Sequence, residues 1–315
     1  LSKLALDLGH RFQRAGHFED LQEAIRLYGE ALLLVPEINS YRAAWLPNLT
    51  VCLRLRFHQE GQLRDLEEVV ELDRQILSLT REPNTHRAEL LTRLADDLSL
   101  RFVHTSQLDD LEEAIKLDRE ALSLRCEPSA HRALSLTRLA DDLRCRFKRT
   151  TGSRSNDLDE AFKLDHEALE LSTTDSDRAD SLSNLARDHN IRFEGAGHPE
   201  DLDEGIRLSR EALSLLPHPD DHRASALTNL AKHLGCRFRH NKHREDLEEA
   251  IKCQREALSL RPKPNPHRRR SLASLVYYLV QRFHHNHHVQ DLDEAVSLNC
   301  EALSLLPKPN ADRAQ

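Results

Sequence analysis

Apolar residues in this chain return every three or four positions, pause for a short polar link, and return again. Between 88 and 102 the series Ala88, Leu91, Leu94, Ala95, Leu98 and Phe102 falls on one helix face. A second series follows with Leu111, Ala114, Ile115, Ala121 and Leu122, again at helical spacing. The strict alternation of a half-buried strand has almost no support. This two-helix pattern repeats. The phrase Asp-Leu-x-Glu starts at Asp20, Asp65, Asp110, Asp157, Asp201, Asp246 and Asp291, in steps of 45, 45, 47, 44, 45 and 45 residues. A second phrase, Arg-Phe, places Phe12, Phe57, Phe102, Phe147, Phe193, Phe238 and Phe283 in the same register. Two phrases in step along the whole chain mark an internal repeat of helix pairs.

The polar links predict where the helices begin and end. Asn39, Asn84, Ser129, Asp175, Asp220, Asn265 and Asn310 stand three residues before the arginine that opens each first helix, and all are helix-capping types. Pro266 suits a first helical position. Asp65 with Glu68, and Asp246 with Glu249, read as capping boxes that open the second helix. Gly16, Gly61 and Gly197 stand where the first helix should stop in a left-handed turn. Ten of the twelve prolines lie in the link from second helix to next first helix, and Pro47 is expected to kink a first helix or mark its true start.

A short helix pair cannot bury its apolar faces alone, so the pairs must stack. Small residues recur where close approach would be needed: Ala95, Ala140, Ala186 and Ala231 in the first helix, and Ala24, Ala114, Ala161, Ala250 and Ala295 early in the second. Ala31, Ala121, Ala168, Ala212, Ala257 and Ala302 follow seven residues later, with Pro36, Pro217, Pro262 and Pro307 five further on. This set resembles the tetratricopeptide (TPR) signature in the extended form of kinesin light chains, whose Leu-x-Asn-Leu-Ala phrase is matched by Leu182–Ala186 and Leu227–Ala231. The chain is also similar to the long TPR arrays of mushroom-forming fungi that precede a caspase-like CHAT protease domain. The unit here has about 45 residues against the usual 34, and Val69, Gly205, Thr50 and Val276 break the small-residue pattern. HEAT-type repeats have a nearer period but lack this alanine set. The expected fold is therefore all-α: a right-handed α-solenoid of about seven TPR-like helix pairs. The expected organisation is a single array over 1–315, cut at both ends, with pairs at about 1–35, 40–80, 85–125, 130–172, 176–216, 221–261 and 266–306 and an eighth beginning at 311–315.

Composition narrows the function. Charged residues are 31%, aromatics 4%, and the net charge is −8, which disfavours nucleic acid and anionic membranes as partners. No run approaches the roughly 18 apolar residues of a membrane helix. The chain contains no methionine, so it reads as an internal piece of a longer polypeptide. Its six cysteines form no C-x-x-C pair. Cys145, Cys236 and Cys253 sit at positions that are leucine or isoleucine in other repeats, as small core residues of a reducing, cytoplasmic protein would. The histidines His284, His285, His287 and His288 lie in a link and lack the fixed thiolate or carboxylate partners of a tight zinc site. His86, His131, His222 and His267, just inside the first helices, can pack on or donate to a neighbouring repeat. No nucleophile and base are placed together and no glycine-rich phosphate loop is present. No catalytic residue, metal or cofactor is expected.

A residue repeated in every unit serves the stacking that every unit needs. The phenylalanines read as core plugs. The arginines Arg11, Arg56, Arg101, Arg146, Arg192, Arg237 and Arg282 read as partners of second-helix carboxylates such as Glu120, Glu167, Glu211 or Glu256. Binding specificity belongs where units differ. The resemblance implies that the first helix lines a concave groove, with candidate positions Thr92, Asp96, Thr137, Asp141, Ser183, Arg187, Thr228, Lys232 and Tyr277. It also implies a peptide-holding role for Asn48, Asn184 and Asn229. Asp96, Asp97, Asp141 and Asp142, followed by Arg187, Lys232 and Tyr277–Tyr278, give a face that is acidic in the middle and basic-aromatic later. The function expected is a protein- or peptide-binding scaffold for extended partners of mixed charge. The alternative is a sensor or regulatory arm for an intramolecular effector domain, such as a fungal CHAT protease.

Overall fold

The computed structural model describes residues 1–35, 40–80, 85–125, 129–150, 155–217, 221–263, 265 and 267–305. Among these residues the chain forms fourteen helices and no strand. They are α1 (Ser2–Ala15), α2 (Phe18–Leu33), α3 (Ser40–Glu60), α4 (Leu63–Leu79), α5 (Thr85–Thr105), α6 (Leu108–Ser123) and α7 (Ala130–Arg149) in one compact unit, Leu1–Ser153. A second unit, Arg154–Gln315, holds α8 (Ser155–Glu170), α9 (Asp175–Ala196), α10 (Pro199–Leu215), α11 (Asp221–Asn241), α12 (Arg244–Ser259), α13 (Arg268–Asn286) and α14 (Val289–Ser304). Within each unit every helix packs on the next in sequence.

The turn between the two helices of a pair is short because the first helix closes in a left-handed residue. Gly16, Gly61 and Gly197 do this at φ 72°, 68° and 74°, as their type suggested, and Ser106, Lys242 and His287 hold the same place without being glycine. The N–H of each returns to the carbonyl of the Arg-Phe phenylalanine, as from Gly61 to Phe57 at 2.7 Å. Ser129 caps α7 through the Arg132 N–H. For α9 the cap is Thr174, which accepts from the Asp177 N–H at 3.1 Å, and Asp175 is already helical. For α13 the N-cap position is His267, which makes no side-chain cap bond, and Asn265, two residues earlier, accepts from the His267 N–H. The other four candidate caps, Asn39, Asn84, Asp220 and Asn310, lie outside the described residues. Helix α3 runs through Pro47, seven residues past its own start.

Two expectations about the second helix are corrected. Asp-Leu-x-Glu is not a capping box. The second helices begin two residues before the aspartate, the N-cap positions Gln62, Gln107, His198, His243 and His288 make no side-chain cap bond, and the aspartate is buried at the third helical position. Nor do the Arg-Phe arginines take the expected glutamates. Six of them grip the aspartate nine residues ahead through paired bonds: Arg56 to Asp65 at 2.8 and 2.6 Å, Arg101 to Asp110 at 2.9 and 2.6 Å. The same fork joins Arg11 to Asp20, Arg192 to Asp201, Arg237 to Asp246 and Arg282 to Asp291. A charge-assisted bidentate pair across a hairpin outweighs a single backbone cap, so the carboxylate turns inward.

The glutamates serve a different arginine, the one that opens each first helix. Arg87, Arg223 and Arg268 reach Glu120, Glu256 and Glu301 at 2.9, 3.0 and 2.8 Å. Their guanidinium groups also donate to carbonyls at the end of the preceding second helix, as Arg268 does to Arg261 O at 2.8 Å and Arg87 to Thr80 O at 2.8 Å. A helix end leaves carbonyls without partners. Here the next repeat supplies the donor, which ties successive pairs together across the proline-containing links.

Alanine does what its spacing implied. Ala95, Ala114, Ala121 and Ala140 in the first unit, and Ala186, Ala212, Ala231, Ala250 and Ala257 in the second, are buried at helix contacts. Phe12, Phe57, Phe102 and Phe238 are buried, while Phe147, Phe193 and Phe283 are half-buried. Cys52, Cys236 and Cys253 are interior; Cys145, contrary to expectation, is exposed, as is Cys300.

Candidate binding face

Each unit presents a first-helix face whose residues change chemistry from repeat to repeat. In the first unit the register runs Leu6, Val51 and Asp96, all exposed, and the half-buried Asp141, along α1, α3, α5 and α7. Asp96 pairs with Arg138 of the next first helix, and Asp141 with Arg144 at 2.6 Å, so much of the expected acidic charge is met locally. Thr137 is half-buried. Thr92 lies inside: its hydroxyl donates to Ala88 O at 2.8 Å and accepts from Arg125 at 3.0 Å, so it is a packing residue rather than a surface one. Asn48 is half-buried and gives its amide to Ala44 O.

In the second unit the corresponding register is Arg187, Lys232 and Tyr277 on α9, α11 and α13. Asn184 accepts from Arg187 at 2.7 Å, and Asn229 is half-buried one turn before Lys232. Ser183 is half-buried, and Thr228 returns its hydroxyl to Ala224 O. Lys232 is exposed, and Tyr277 accepts from Arg239 at 3.3 Å. Tyr278, adjacent in sequence, is instead buried and donates to Ala231 O at 3.0 Å.

Asp97, Asp142 and Tyr278 belong to a feature that the sequence reading missed, a buried polar seam where a second helix meets the first helices on either side. Each junction combines three positions. The first junction has Gly9, Tyr28 and Cys52, and the second has Arg54, Asp73 and Asp97. The third has Ser99, Asp118 and Asp142. In the second unit the seam holds Asn190, Ser209 and His233, then Gly235, Gln254 and Tyr278. At the second junction Arg54 bridges both carboxylates, reaching Asp97 at 2.6 and 3.0 Å, and Arg93 adds bonds to Asp73 at 3.2 Å. Burial still holds Asp73 above its ordinary pKa. At the third junction Arg54 is replaced by Ser99, which donates to Asp142 at 2.8 Å, and Arg138 has turned to Asp96. Burial, reinforced by neighbouring aspartates, pushes Asp118 up to about 8, and burial pushes Asp142 up to about 7. His233 meets the Ser209 hydroxyl at 2.8 Å, and burial pushes its pKa down to about 3, so it stays neutral.

The last junction yields a test. A methyl group on Gly235 would lie 2.5 Å from Tyr278 Cε1, on a ring held by its bond to Ala231 O. Glycine to alanine in a helix interior ordinarily stabilises by about 1 kcal/mol. Here Gly235→Ala is expected to destabilise by about 1–3 kcal/mol through overpacking. In a Tyr278→Ala background the same change should turn stabilising. Chemical denaturation of the four proteins checks this, and a stabilising G235A in the wild-type background would refute it.

The histidine link carries no comparable arrangement. His284 and His285 are exposed, His285 packs edge-on against Phe238, and His287 supplies the left-handed turn. Among the described residues no three His, Cys, Asp or Glu side chains are grouped to hold a metal ion. His222 meets Asp180 of the preceding repeat at 3.3 Å. No helix among the described residues is long and apolar enough to cross a membrane.

No family model and no curated protein matches the chain. Solved structures do. It is similar to the nearly identical TPR-like repeats of a Podosopora anserina protein named as a kinesin light chain, at 18% identity over 69% of this chain and 98% of that one, with a TM-score of 0.50. A single-substitution variant of the same repeats gives 0.51 at 18% identity, covering 70% and 99% of the two chains. The C-terminal part of a TPR repeat-containing protein from Cytophaga hutchinsonii covers 96% of this chain and 100% of that one at 12% identity, with a TM-score of 0.52. Likeness at these identities speaks to the fold. The chain has the fold of a TPR-like helical-repeat protein.

Proposed function

We propose that the chain is a non-catalytic scaffold, a seven-pair TPR-like array of the cytoplasm that holds protein or extended-peptide partners on its first-helix faces. The observation that carries this reading is a division of labour. Positions that repeat (the Arg-Phe arginine, its aspartate, the helix-opening arginine and the alanines) are spent on internal locks. The register Leu6, Val51, Asp96, Asp141, Arg187, Lys232 and Tyr277, exposed at five positions and half-buried at Asp141 and Arg187, changes in nearly every repeat. A surface that varies on a fixed frame is where specificity can be written. Its chemistry is apolar, then acidic, in the first unit and cationic-aromatic in the second, which favours partners of mixed charge. In the fungal arrays that the repeat phrases resemble, an effector domain follows on the same polypeptide, and such a domain would be an intramolecular partner for the same faces.

Charge reversal tests the reading. Partners recovered with the wild-type chain should be lost or weakened at least about tenfold by Asp96→Lys with Asp141→Lys, or by Arg187→Glu with Lys232→Glu, as expected when a charged contact is made repulsive. Titration of each recovered partner against folded variants reads this out. An unchanged affinity for every partner with both double variants would end it.

A further inference from the structure

Successive second helices flank a first helix and leave a groove above it, lined in the second unit by Arg210, Ser214, Glu249 and Lys252 over an apolar floor of Leu227 and Leu230. Ion pairs tie the rims of such grooves together. Arg74 of α4 meets Glu113 of α6 at 2.6 Å, Arg210 of α10 meets Glu249 of α12 at 2.7 Å, and Arg255 of α12 meets Glu294 of α14 at 2.6 Å. The helix-opening arginine adds a second tie, as Arg223 does to Glu256 at 3.0 Å. The groove of α2, α3 and α4 keeps the apolar floor, where Leu32, Leu46, Leu49 and Leu72 pack in one cluster, and loses both ties. Gly29 stands in the place of Arg74, Arg210 and Arg255, so Glu68 has no cation across from it. Gln75 stands in the place of Glu256, and Arg42 donates to Leu32 O at 3.1 Å. Two more rim positions depart from the repeat here. Leu33 occupies a place held by serine or glutamate in the six other second helices. At 87% it is the most exposed large apolar side chain among the described residues, beside Leu34 at 75%. Glu71 occupies a place that is lysine or arginine in five of those six, at Arg26, Lys116, Lys163, Arg207 and Lys252. Glu68 and Glu71 are exposed, and neither forms an ion pair among the described residues.

We infer that the groove over α3, between α2 and α4, is a second docking surface, and that it takes a peptide segment in which apolar residues are flanked by lysine or arginine. Gly29, Leu33, Glu71 and Gln75 all depart from the repeated frame at this one groove, and the departures have one chemical sense. Two carboxylates without a cation stand in water across from Leu33, with Leu34 beside it. Cations of the segment answer Glu68 and Glu71, while its apolar side chains cover the two leucines. An acidic segment meets like charge, and a wholly polar one leaves the leucines in water. Arg42, the cation of this groove, is engaged with Leu32 O and is outnumbered by the two carboxylates. The surface uses none of the residues of the first-helix register, so it stands or falls apart from the reading above.

The test restores the repeat's own residues one at a time. Gly29→Arg reinstates the rim arginine from a helical position where an added Cβ meets nothing within 4 Å. Glu71→Lys and Leu33→Ser return the other two, and other second helices of this chain already carry all three residues, so the variants are built to fold. The probe is the fluorescein-labelled peptide Lys-Lys-Leu-Leu-Lys-Lys between glycine and serine flanks, titrated by anisotropy against the full chain. It should saturate the wild type, bind at least about tenfold more weakly to G29R and E71K, and several-fold more weakly to L33S. Its Glu-Glu-Leu-Leu-Glu-Glu and Lys-Lys-Ser-Ser-Lys-Lys counterparts should bind the wild type at least about tenfold more weakly than the probe does. Glu200→Lys, an equal charge change at an exposed position of the second unit, should leave binding as it is. The proposal is overturned if G29R, E71K and L33S bind the probe as the wild type does, if Glu200→Lys weakens binding as much as Glu71→Lys, or if the wild type shows no saturable binding. Each of these results leaves the first-helix reading standing, since that reading is tested at other residues.

Discussion

Replacing Arg101 with leucine is expected to lower the stability of the Leu1–Ser153 unit by about 3–5 kcal/mol, because it leaves the buried Asp110 carboxylate without its partner. Replacing both, Arg101→Leu with Asp110→Leu, is expected to return most of that loss, since the cost lies in the orphaned charge rather than in the missing bond. The geometry decides the magnitude. Asp110 is 4% exposed and receives two parallel bonds at 2.9 and 2.6 Å from a guanidinium that is itself largely covered. An exposed ion pair such as Arg26 with Glu23, by contrast, contributes about 0–1 kcal/mol. Urea unfolding followed by the fluorescence of Trp45, the single tryptophan, reports on this unit. A loss below about 1 kcal/mol in the single variant would mean that the fork behaves as a surface pair and does not lock the hairpin.

The same fork shows what the amino-acid sequence discloses and what it hides. Both of its members stand in every repeat, nine residues apart in six of seven, so the lock is in plain view. The capping expectation fails because Asp-Leu-x-Glu satisfies that pattern too, and spacing alone does not say which donor a carboxylate will choose. The alanines and the phenylalanines are legible because one residue type recurs at one place from repeat to repeat, and the left-handed turn is legible only in the three repeats that write it with glycine. The polar seam is not. Its three positions carry Arg, Ser, Asn or Gly, then Asp, Ser, Gln or Tyr, then Asp, His, Cys or Tyr, and a buried polar residue looks like a solvated one when only the chain is read. A signal does exist in Asp73, Asp118 and Asp165, which recur on a helix face otherwise filled by apolar residues. For the binding face the register is legible, and the state of its residues is not. Asp96 and Arg187 prove to have local partners and Thr92 to lie inside, because the groups that meet them come from other turns and other helices.

The seam also gives the unit an unusual response to pH, with stability expected to fall as pH rises from about 5 to about 8. The folded chain holds Asp118 near 8 and Asp142 near 7, far above the ordinary carboxylate value of 3.8 to which unfolding returns them. Between those limits the folded state binds more protons than the unfolded one, so raising the pH favours unfolding. Every element packed against the pair adds to the account. Asp96 of α5 and Asp141 of α7 repel a second negative charge, while Arg138 of α7 and Arg125 beyond α6 attract it, more weakly than burial opposes it. Carboxylates held below their ordinary value, such as Asp20 beside Arg11, act in the opposite sense, but only at pH values below about 4. At 1.36 kcal/mol per unit, the window from pH 5 to 8 allows at most about 4 kcal/mol for each carboxylate, and a loss of several kcal/mol in all is expected. Asp118→Asn removes one titrating group and the negative charge that faces Asp142, so its stability curve should flatten and lie above that of the wild type at pH 8. Ser99→Arg, which restores the cation found at the second junction, should flatten the curve by the other route. Urea midpoints read from Trp45 at half-unit steps of pH decide the matter. A wild-type curve that is level or rising between pH 5 and 8, or a D118N protein less stable than wild type at pH 8, would show that the two aspartates are not held protonated inside the fold.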